Sequence, residues 1–484
     1  MQYFFPLLEL IYLLALQSFA QNEDDALRYG FTQGVYSNRV NAMGGAFASL
    51  GGDITNCFQN PAGLAAYKTG VFDITVTGLS NKTATSFLGN KQESSRFALP
   101  ADAVAMVFQT GTSENDWSPT YVGIGFGILQ KFNKTTEVTS FDNQASLLDV
   151  FVNQLNAYQV PTSDITSSFP FSAGLAWETY LINDPVGNVY TRLSNTSDIT
   201  RTDKVEESGQ LREWNLSVAK NYKNQFYFGA ALAFRRLKYE KTTSYTEQFA
   251  SAQSAVSFNY NSTLNNTGTG STGYSGIQLK LGFQYAPSPY FRVGAYYHSG
   301  VNQSILDAFE ADMNSEIGSS FYEYASDLNE YTYGLKLPSL VGVGASFIAG
   351  NLGVISCDYE TTDLSKMKME SIQDVYTFSL ENAAIKENYK AVHTLRSGVE
   401  LRVADIYRIR GGVQAVSSPL AASSDWRLKY SIGAGYKKDD VFYNLSFSYM
   451  VDQSSYYMFD PNLIDATQVR QGIVGISFSG GFRF

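Results

Sequence analysis

Fourteen segments of this chain alternate apolar and polar residues with a period of two, the pattern of strands that present two different faces. They are residues 71–79, 97–110, 119–131, 211–220, 225–240, 273–285, 289–300, 334–348, 351–361, 390–404, 406–416, 426–437, 440–452 and 467–484. The connections between them alternate between short, as at 221–224, and long, as at 132–210. Bacterial membrane barrels have short turns at one end, longer loops at the other and an even number of strands. The pattern therefore predicts an all-β fold, a 14-stranded antiparallel transmembrane β-barrel.

The composition agrees with strands that face lipid on one side. Charged residues make up 17% of the chain, against about a quarter in soluble domains, and Tyr and Phe number 33 each. No segment after residue 20 approaches the run of about 20 apolar residues that a spanning helix needs. The net charge of −10 argues against a nucleic-acid partner.

Residues 1–20 are predicted to be a signal peptide. An apolar core from Phe4 to Leu16 precedes the small-residue site Ser18-Phe19-Ala20. The apolar run is too short to span a bilayer as an anchor. We therefore expect export and a mature chain that begins at Gln21.

Residues 21–69 are predicted to form a hatch that plugs the lumen of a barrel built from residues 70–484. The segment is rich in small residues, with the glycine pair Gly44 and Gly45 and a turn formed by Asn60, Pro61, Ala62 and Gly63. Such a stretch packs only where one backbone lies close to another. It also lacks the apolar surface needed to fold alone.

Charged residues recur on one face of the strands predicted between 351 and 416, opposite apolar residues such as Leu401 and Ile409. These charged residues are Asp358, Glu360, Arg396, Glu400, Arg402, Arg408 and Arg410. Arginine inside a protein is tolerated when it is paired and hydrogen-bonded. We therefore expect these residues to line the lumen as a network of ion pairs.

The run Met43-Gly44-Gly45-Ala46-Phe47 leading to Asn60-Pro61-Ala62-Gly63-Leu64 resembles the hatch of the FadL/OmpP1/TodX outer-membrane transport family. Leu337-Pro338-Ser339-Leu340 is similar to a late-barrel feature of the same family. The resemblance implies a monomeric barrel in the bacterial outer membrane that takes up hydrophobic compounds passively, long-chain fatty acids being the family's best-known cargo. It also implies a lumenal binding pocket and release sideways through the wall. The hatch is similar to that of Bacteroidota members, some of which are subunits of outer-membrane secretion or assembly complexes.

Three glycines of the third predicted strand, Gly123, Gly125 and Gly127, share one face. Glycine weakens a strand and marks a bend or a close backbone approach. The three residues would form the lateral opening, with the hatch turn at Asn60 as its gate, or they would simply make room for the hatch. Both interpretations stay open at this point.

Two long connections carry further signals. Residues 145–155 predict an amphipathic helix with Leu148, Phe151, Val152 and Leu155 on one side, packed on its own loops or exposed as an apolar landing surface. Residues 261–273 are rich in Asn, Thr, Gly and Ser and predict a mobile loop.

No catalytic motif is present: the chain has no G-x-S-x-G elbow, H-E-x-x-H, Walker loop or Rossmann fingerprint. The two histidines, His298 and His393, lie far apart without cysteine neighbours and do not suggest a metal site. We expect no enzyme activity, no cofactor and no metal. The expected partners are hydrophobic small molecules or lipids, outer-membrane lipid and the barrel assembly machinery. Phe484 resembles the terminal aromatic signal of outer-membrane barrels.

The expected function is an outer-membrane channel for hydrophobic compounds. The alternative is a non-transporting scaffold subunit of a secretion or assembly complex. A continuous apolar cavity from the external loops to the wall favours transport. A lumen filled by the hatch and by ion pairs favours a scaffold.

Overall fold

A computed structural model describes residues 22–186, 189–194, 198–250, 255–270 and 275–484. The predicted signal peptide at 1–20 lies outside the described residues. The described helices are α1 (Glu23–Gly30), α2 (Asn38–Ala42), α3 (Leu147–Tyr158), α4 (Ile165–Ser168), α5 (Ala173–Glu178) and α6 (Ser379–Asn388), with 3-10 turns at Ile54–Cys57, Pro61–Ala66, Thr162–Asp164 and Leu364–Lys366. None of these helices is long and apolar enough to cross a membrane.

The strands, in chain order, are β1 (Val71–Phe87), β2 (Asn90–Ala98), β3 (Ala101–Thr110), β4 (Thr120–Lys131), β5 (Lys134–Asp142), β6 (Ile182–Val186), β7 (Val189–Arg192), β8 (Ile199–Tyr222), β9 (Phe226–Phe249), β10 (Val256–Gly268), β11 (Gly276–Tyr285), β12 (Phe291–His298), β13 (Val301–Ile317), β14 (Ser320–Ala325), β15 (Asn329–Leu337), β16 (Leu340–Ala349), β17 (Gly353–Asp363), β18 (Lys368–Ser371), β19 (Ala391–Val403), β20 (Tyr407–Ser417), β21 (Trp426–Lys438), β22 (Val441–Tyr456) and β23 (Thr467–Arg483).

Fourteen of these strands form a closed antiparallel barrel, which confirms the predicted fold class. The order around the barrel is β1, β3, β4, β8, β9, β11, β12, β16, β17, β19, β20, β21, β22 and β23. The last strand pairs with the first, from Val71 opposite Arg483 to Ser86 opposite Gln468. Each of the fourteen predicted segments overlaps one barrel strand. Closure pairs both edges of each of the fourteen strands over part of its length.

The two faces of the wall differ as a membrane barrel requires. On β23, Ile476 and Phe478 are exposed on the outside, whereas Ser477 and Ser479 are buried on the inside. An apolar outer face suits lipid, and a polar inner face suits a lumen. We call the end with the short connections, such as 404–406, the turn end, and the opposite end the loop end.

Most of the long connections form sheet rather than loop, which corrects the sequence analysis. Strands β8 and β9 run for 24 residues each, well past the predicted limits of 211–220 and 225–240. Residues 261–268, predicted as part of a mobile loop, belong to β10, which pairs with β9 on one side and β13 on the other. Backbone pairing on both edges outweighs the weak strand propensity of Asn, Gly and Ser in such a strand.

The predicted helix in the first long connection is present as α3. Its buried residues are Leu148, Phe151, Val152 and Leu155, the four predicted to share a side. They pack into an apolar cluster with α5 and with aromatic residues of β9 and β10, such as Phe249 and Phe258. The helix therefore packs on its own loops and presents no free apolar face.

Residues 22–69 run through the lumen from the loop end to the turn end. At the loop end, the Tyr389 hydroxyl next to α6 donates to the Asp24 carboxylate at 3.3 Å. At the turn end, Gly70 and Phe484 exchange backbone hydrogen bonds of 2.8 and 3.1 Å. The hatch residues between these points are mostly buried, which fits a plug inside the barrel.

Candidate functional site: the lumen and its hatch

The hatch and the wall touch backbone to backbone at glycines of several strands. A Cβ atom added to Gly398 of β19 would lie 2.2 Å from the Met43 carbonyl oxygen. One added to Gly294 of β12 would lie 2.2 Å from the Ala48 carbonyl oxygen. Contacts this close exclude any side chain. The wall glycines therefore let the hatch dock against the inner face of the barrel.

The predicted gating residues lie within these contacts. Gly44 has a φ of +65°, and a Cβ atom added to it would lie 2.7 Å from the backbone nitrogen of Val413. Gly45 lies beside the side chain of Arg396. The amide nitrogen of Asn60 donates to the Ala48 carbonyl at 2.7 Å, and its oxygen accepts from the backbone N–H of Ala62 at 3.2 Å.

Asn60 thus caps the 3-10 turn Pro61–Ala66, with Pro61 at its first position, where a missing N–H costs nothing. A Cβ atom on Gly63 would lie 2.3 Å from the side-chain amide of Asn56, so the turn also packs tightly within the hatch. The predicted turn residues hold the hatch in shape and attach it to its neighbours.

Wall side chains satisfy backbone groups of the hatch. The Asp358 carboxylate accepts hydrogen bonds from the backbone N–H groups of Phe47 and Ala48 at 2.6 and 2.8 Å. Lys280 donates to the Phe58 carbonyl at 2.9 Å, and Nε2 of His298 lies 2.7 Å from the Gln59 carbonyl oxygen. Because backbone groups buried away from water require partners, these contacts allow an irregular chain to lie inside the barrel.

Two ion-pair groups involve predicted lumen residues. Glu400 binds Arg410 at 2.6 Å and the hatch residue Arg39 at 2.8 Å. Arg396 binds Glu360 at 2.8 Å. Burial opposes the charge of Arg39, but Glu400 outweighs this cost and raises the pKa of the guanidinium above its ordinary value. Arg39 was not among the predicted site residues, because the hatch has no periodicity that would show which way a side chain points.

The two remaining predicted lumen charges, Arg402 and Arg408, lie on the inner face at the turn end. Arg402 is exposed, and Arg408 donates to the Tyr407 carbonyl at 2.7 Å. Neither forms an ion pair with a carboxylate of the described residues. They line a separate cavity, described below.

A third buried group was missed by the sequence analysis. Glu213 of β8 forms ion pairs with Lys280 of β11 and, at 3.4 Å, with Arg235 of β9. All three lie on inner faces, beneath the hatch carbonyl of Phe58 that Lys280 also binds. The period-two argument applied to β8, β9 and β11 would have placed these side chains inside as well.

The three glycines of β4 face the hatch. A Cβ atom on Gly123 would lie 2.9 Å from Sγ of Cys57, one on Gly125 would lie 2.8 Å from the Phe58 ring, and one on Gly127 would lie 2.3 Å from Val35. Backbone pairing with β3 and β8 continues through all three positions. The wall has no gap there in this conformation. This geometry favours the interpretation in which the glycines make room for the hatch.

An interruption of the wall lies next to these glycines. The pairing of β4 with β8 shifts register between Ile128 and Gln130, and β3 begins only at Ala101, beyond which β1 pairs with β2. No backbone ladder joins β2 to β5 across the described residues here. We call this boundary, with residues 81–102 facing residues 128–137, the seam.

Side chains close the seam. Ser94 donates to the Thr135 carbonyl at 2.7 Å, and Thr85 donates to the Glu137 carbonyl at 2.5 Å. An ion pair of 2.5 Å joins Asp102 to Lys131. The wall at the seam thus depends on a few side-chain contacts, whereas β1 and β4 keep backbone pairing with β23 and β8 on their other edges.

A lumen cavity of about 370 Å³ borders the seam. Its lining includes Asp102 and residues 128–134 of the seam, hatch residues 31–36 and the inner faces of β1 and β20–β23. Apolar residues such as Phe31 and Leu129 share this lining with the charged Arg396 and Lys429. A molecule in the cavity would therefore contact the hatch and the interrupted part of the wall together.

No protein-family model and no curated protein sequence matches the chain. Solved structures match it over nearly its whole length. The crystal structure of a Pseudomonas aeruginosa FadL homologue has a TM-score of 0.57 at 12% identity, covering 94% of this chain and 100% of that one. The chain has the FadL-type fold. The toluene transporter TodX of Pseudomonas putida has the same fold, with a TM-score of 0.50 at 12% identity over 93% of this chain and 99% of its own.

The FadL-type fold agrees with the closed 14-stranded barrel and the apolar outer face described above. A deletion mutant of the TodX monoaromatic hydrocarbon channel also shares the fold, with a TM-score of 0.51 at 12% identity, over 93% of this chain and 99% of that one. At such identity the likeness concerns the FadL-type fold alone. The hatch contacts and the seam described above are properties of this chain's own residues.

Proposed function

We propose that this protein is an outer-membrane channel of the FadL family for the passive uptake of hydrophobic compounds. The observation that carries the proposal is the lumen cavity of about 370 Å³, enclosed by a hatch and bordered by the seam. Two structures that share the fold are described as a toluene transporter and a monoaromatic hydrocarbon channel. The closed hatch and the side-facing cavity suit a cargo that enters from the loop end and leaves sideways.

The lateral exit we propose lies at the seam, beside Gly123, Gly125 and Gly127. Opening the wall at the glycines would break backbone pairing on both sides of β4. Opening the seam breaks a few side-chain contacts, each worth about 0.5–1.5 kcal/mol for a neutral hydrogen bond. Phe97 and Leu99 at the seam are 68% and 67% exposed, so an apolar cargo that leaves here meets an apolar surface.

The hatch would close the straight path. Its backbone is bound to the wall through Asp358, Lys280 and His298, and its turn is fixed by Asn60. We propose that the hatch gates the cavity by local movement around Gly44, Gly45 and the Asn60–Gly63 turn while most wall contacts persist.

The lining of the cavity fits cargo such as long-chain fatty acids. Lys429 donates to the Asn41 side chain at 2.7 Å and has no carboxylate partner among the described residues. Its ammonium group could bind an acidic head group, while Phe31, Ile128 and Leu129 would contact an apolar tail. We also propose that the barrel assembly machinery inserts the chain.

The scaffold function is the second candidate, and a specific observation favours it. The lumen is crowded by the hatch and by three ion-pair groups around Glu213, Glu360 and Glu400. A barrel filled in this way could serve as a fixed subunit of an outer-membrane secretion or assembly complex without carrying cargo.

Uptake measurements decide between the two functions. The full chain is expressed in cells that lack their own channels for hydrophobic compounds, and surface expression is checked. Labelled palmitate and labelled toluene are supplied separately, with cells carrying an empty vector as the control. We expect the accumulation of at least one compound to exceed the control several-fold. Accumulation of both at the control level in well-expressing cells would overturn the transport function and leave the scaffold.

A further inference from the structure

A second large cavity lies at the turn end, on the far side of the hatch from the cavity that borders the seam, which we call the seam cavity. Its volume is about 420 Å³. It is lined by hatch residues 51–53 and 66–69 and by the inner faces of β1 and β19–β23. This volume lies in the range of roughly 300–1,000 Å³ that small-molecule sites occupy.

The charge of this cavity is opposite to that of the protein. Seven basic side chains line it against three acidic ones, an excess of four positive charges, whereas the whole chain carries −10. The basic residues are Arg39, Lys68, Arg402, Arg408, Arg410, Lys437 and Arg483, and the acidic ones are Asp53, Asp73 and Glu400.

The described residues do not neutralise this positive charge. Glu400 is already bound by Arg39 and Arg410. Arg402, Arg408, Lys437 and Arg483 stand on the inner faces of β19, β20, β21 and β23, and none of them has an ion pair with a carboxylate of the described residues.

The strand register brings two of these charges together. Arg402 and Arg408 are direct cross-strand partners in the pairing of β19 with β20. Like charges directly opposite each other destabilise a sheet pair. A bound anion would remove this repulsion, so the pair of arginines fits a site that binds an anion when the protein functions.

The chemistry of the lining selects a phosphate group. Three of the four cations on the barrel wall that lack an ion pair with the described residues are arginines, whose forked donors match the oxygens of phosphate bidentately. A single carboxylate would balance only one charge of the excess. Asp73 is buried, and its Oδ1 has no hydrogen-bond partner among the described residues, so it could accept from a hydroxyl of the ligand.

We propose that the turn-end cavity is a binding site for a phosphate-bearing small molecule. Arg402, Arg408, Lys437 and Arg483 bind the phosphate oxygens. The site faces the side opposite the external loops, so it takes its ligand from the periplasm or from a head group at that face. The proposal is independent of which cargo, if any, the seam cavity carries.

The test uses the purified full chain in phosphate-free detergent. Inorganic phosphate, glycerol 3-phosphate or micelles that contain phosphatidic acid are added at constant ionic strength, with chloride as the reference. Binding is followed by calorimetry and by the thermal unfolding midpoint. A response to glycerol 3-phosphate assigns a soluble ligand, and a response to phosphatidic acid alone assigns a lipid head group.

The deciding variant is the double substitution Arg402→Gln with Arg408→Gln. Neither arginine is ion-paired, so the barrel should fold, which heat-dependent gel migration checks. The matched control is Lys438→Gln, because Lys438 is exposed beside Lys437 and outside the cavity. We expect the double variant to lose phosphate affinity by at least about tenfold, since it removes several charge-assisted bonds, and the control to keep it. Equal affinity of wild type and double variant for the compound that binds would overturn the proposal. A wild type that responds to none of the three phosphate compounds more than to chloride would also overturn it.

Discussion

Asp358 shows how a single wall side chain positions the hatch. One carboxylate oxygen accepts from two consecutive backbone N–H groups, those of Phe47 and Ala48. Removing the carboxylate leaves both donors buried without a partner, and each hydrogen bond to a charged group is worth about 1.5–3 kcal/mol. The loss concerns the hatch, since Asp358 keeps its place in the β16–β17 ladder through its backbone.

We expect Asp358→Ala to lower the free energy of unfolding by about 3 to 6 kcal/mol, because two buried N–H groups lose their acceptor. The thermal midpoint of the detergent-solubilised protein measures this change. The control is Ser356→Ala, two residues away on the same buried face, whose hydroxyl has no hydrogen-bond partner among the described residues. Equal midpoints for the two variants would contradict the role given to Asp358.

For single residues, the sequence predicted which way a wall side chain points better than it predicted the partner of that side chain. Period two placed Glu400 and Arg410 on the inner face because each strand has a lipid side that must be apolar. The partner Arg39 could not be predicted, since the hatch is irregular and its path through the lumen is set by tertiary contacts. For the same reason, Asp358 was predicted to pair with arginine and instead binds the hatch backbone.

At the scale of elements, the hatch and the strands fit each other through glycine. Gly398 of β19 lies against the Met43 carbonyl, and Gly412 of β20 lies against the backbone of Met43 and Gly44. The sequence showed the small residues of the hatch but not their complement on the wall, apart from the three glycines of β4. Glycines spaced singly along different strands become one surface only when the barrel closes.

We expect Gly398→Ala to displace the hatch, because the new Cβ atom would lie 2.2 Å from the Met43 carbonyl oxygen. The barrel should still form, since its strands keep their pairing. Limited proteolysis should then cut within residues 22–69 much faster than in wild type. The matched control is Gly472→Ala on β23, where nothing lies within 4 Å of the added atom. Wild-type protection of the hatch in Gly398→Ala would show that the close contact is not required.

The elements of the loop end were the least predictable. The strands were located by their apolar outer face, and that face ends where the barrel leaves the membrane. Beyond it, the apolar residues of β9 and β10, such as Phe249 and Phe258, lie on the buried side, and the outward side chains are mainly polar. The outward apolar pattern that marked the strands therefore ends while the backbone pairing continues. Sheet pairing rather than composition determines the structure there.

In the whole molecule, the proposed sideways path of cargo depends on both the hatch and the seam. In the proposed function, the hatch closes the straight path through its contacts with the wall, and the seam, where side-chain contacts replace backbone pairing, is the exit. A cargo in the cavity between them would find its lowest barrier sideways. This arrangement needs only the fold, the hatch contacts and the interruption at the seam, and it rests on the proposed function for its cargo.

Locking the seam is the most direct test of the proposed lateral exit. Cysteines replace Asp102 and Lys131, whose side chains are 2.5 Å apart, in a chain whose Cys57 and Cys357 are changed to serine. A short cleavable thiol reagent then links the two sides, and uptake of the labelled compound that wild type accumulates is measured before linking, after linking and after cleavage. If cargo leaves through the seam, uptake falls to the empty-vector level on linking and returns on cleavage. Uptake that stays unchanged with the seam linked would contradict the proposed lateral exit.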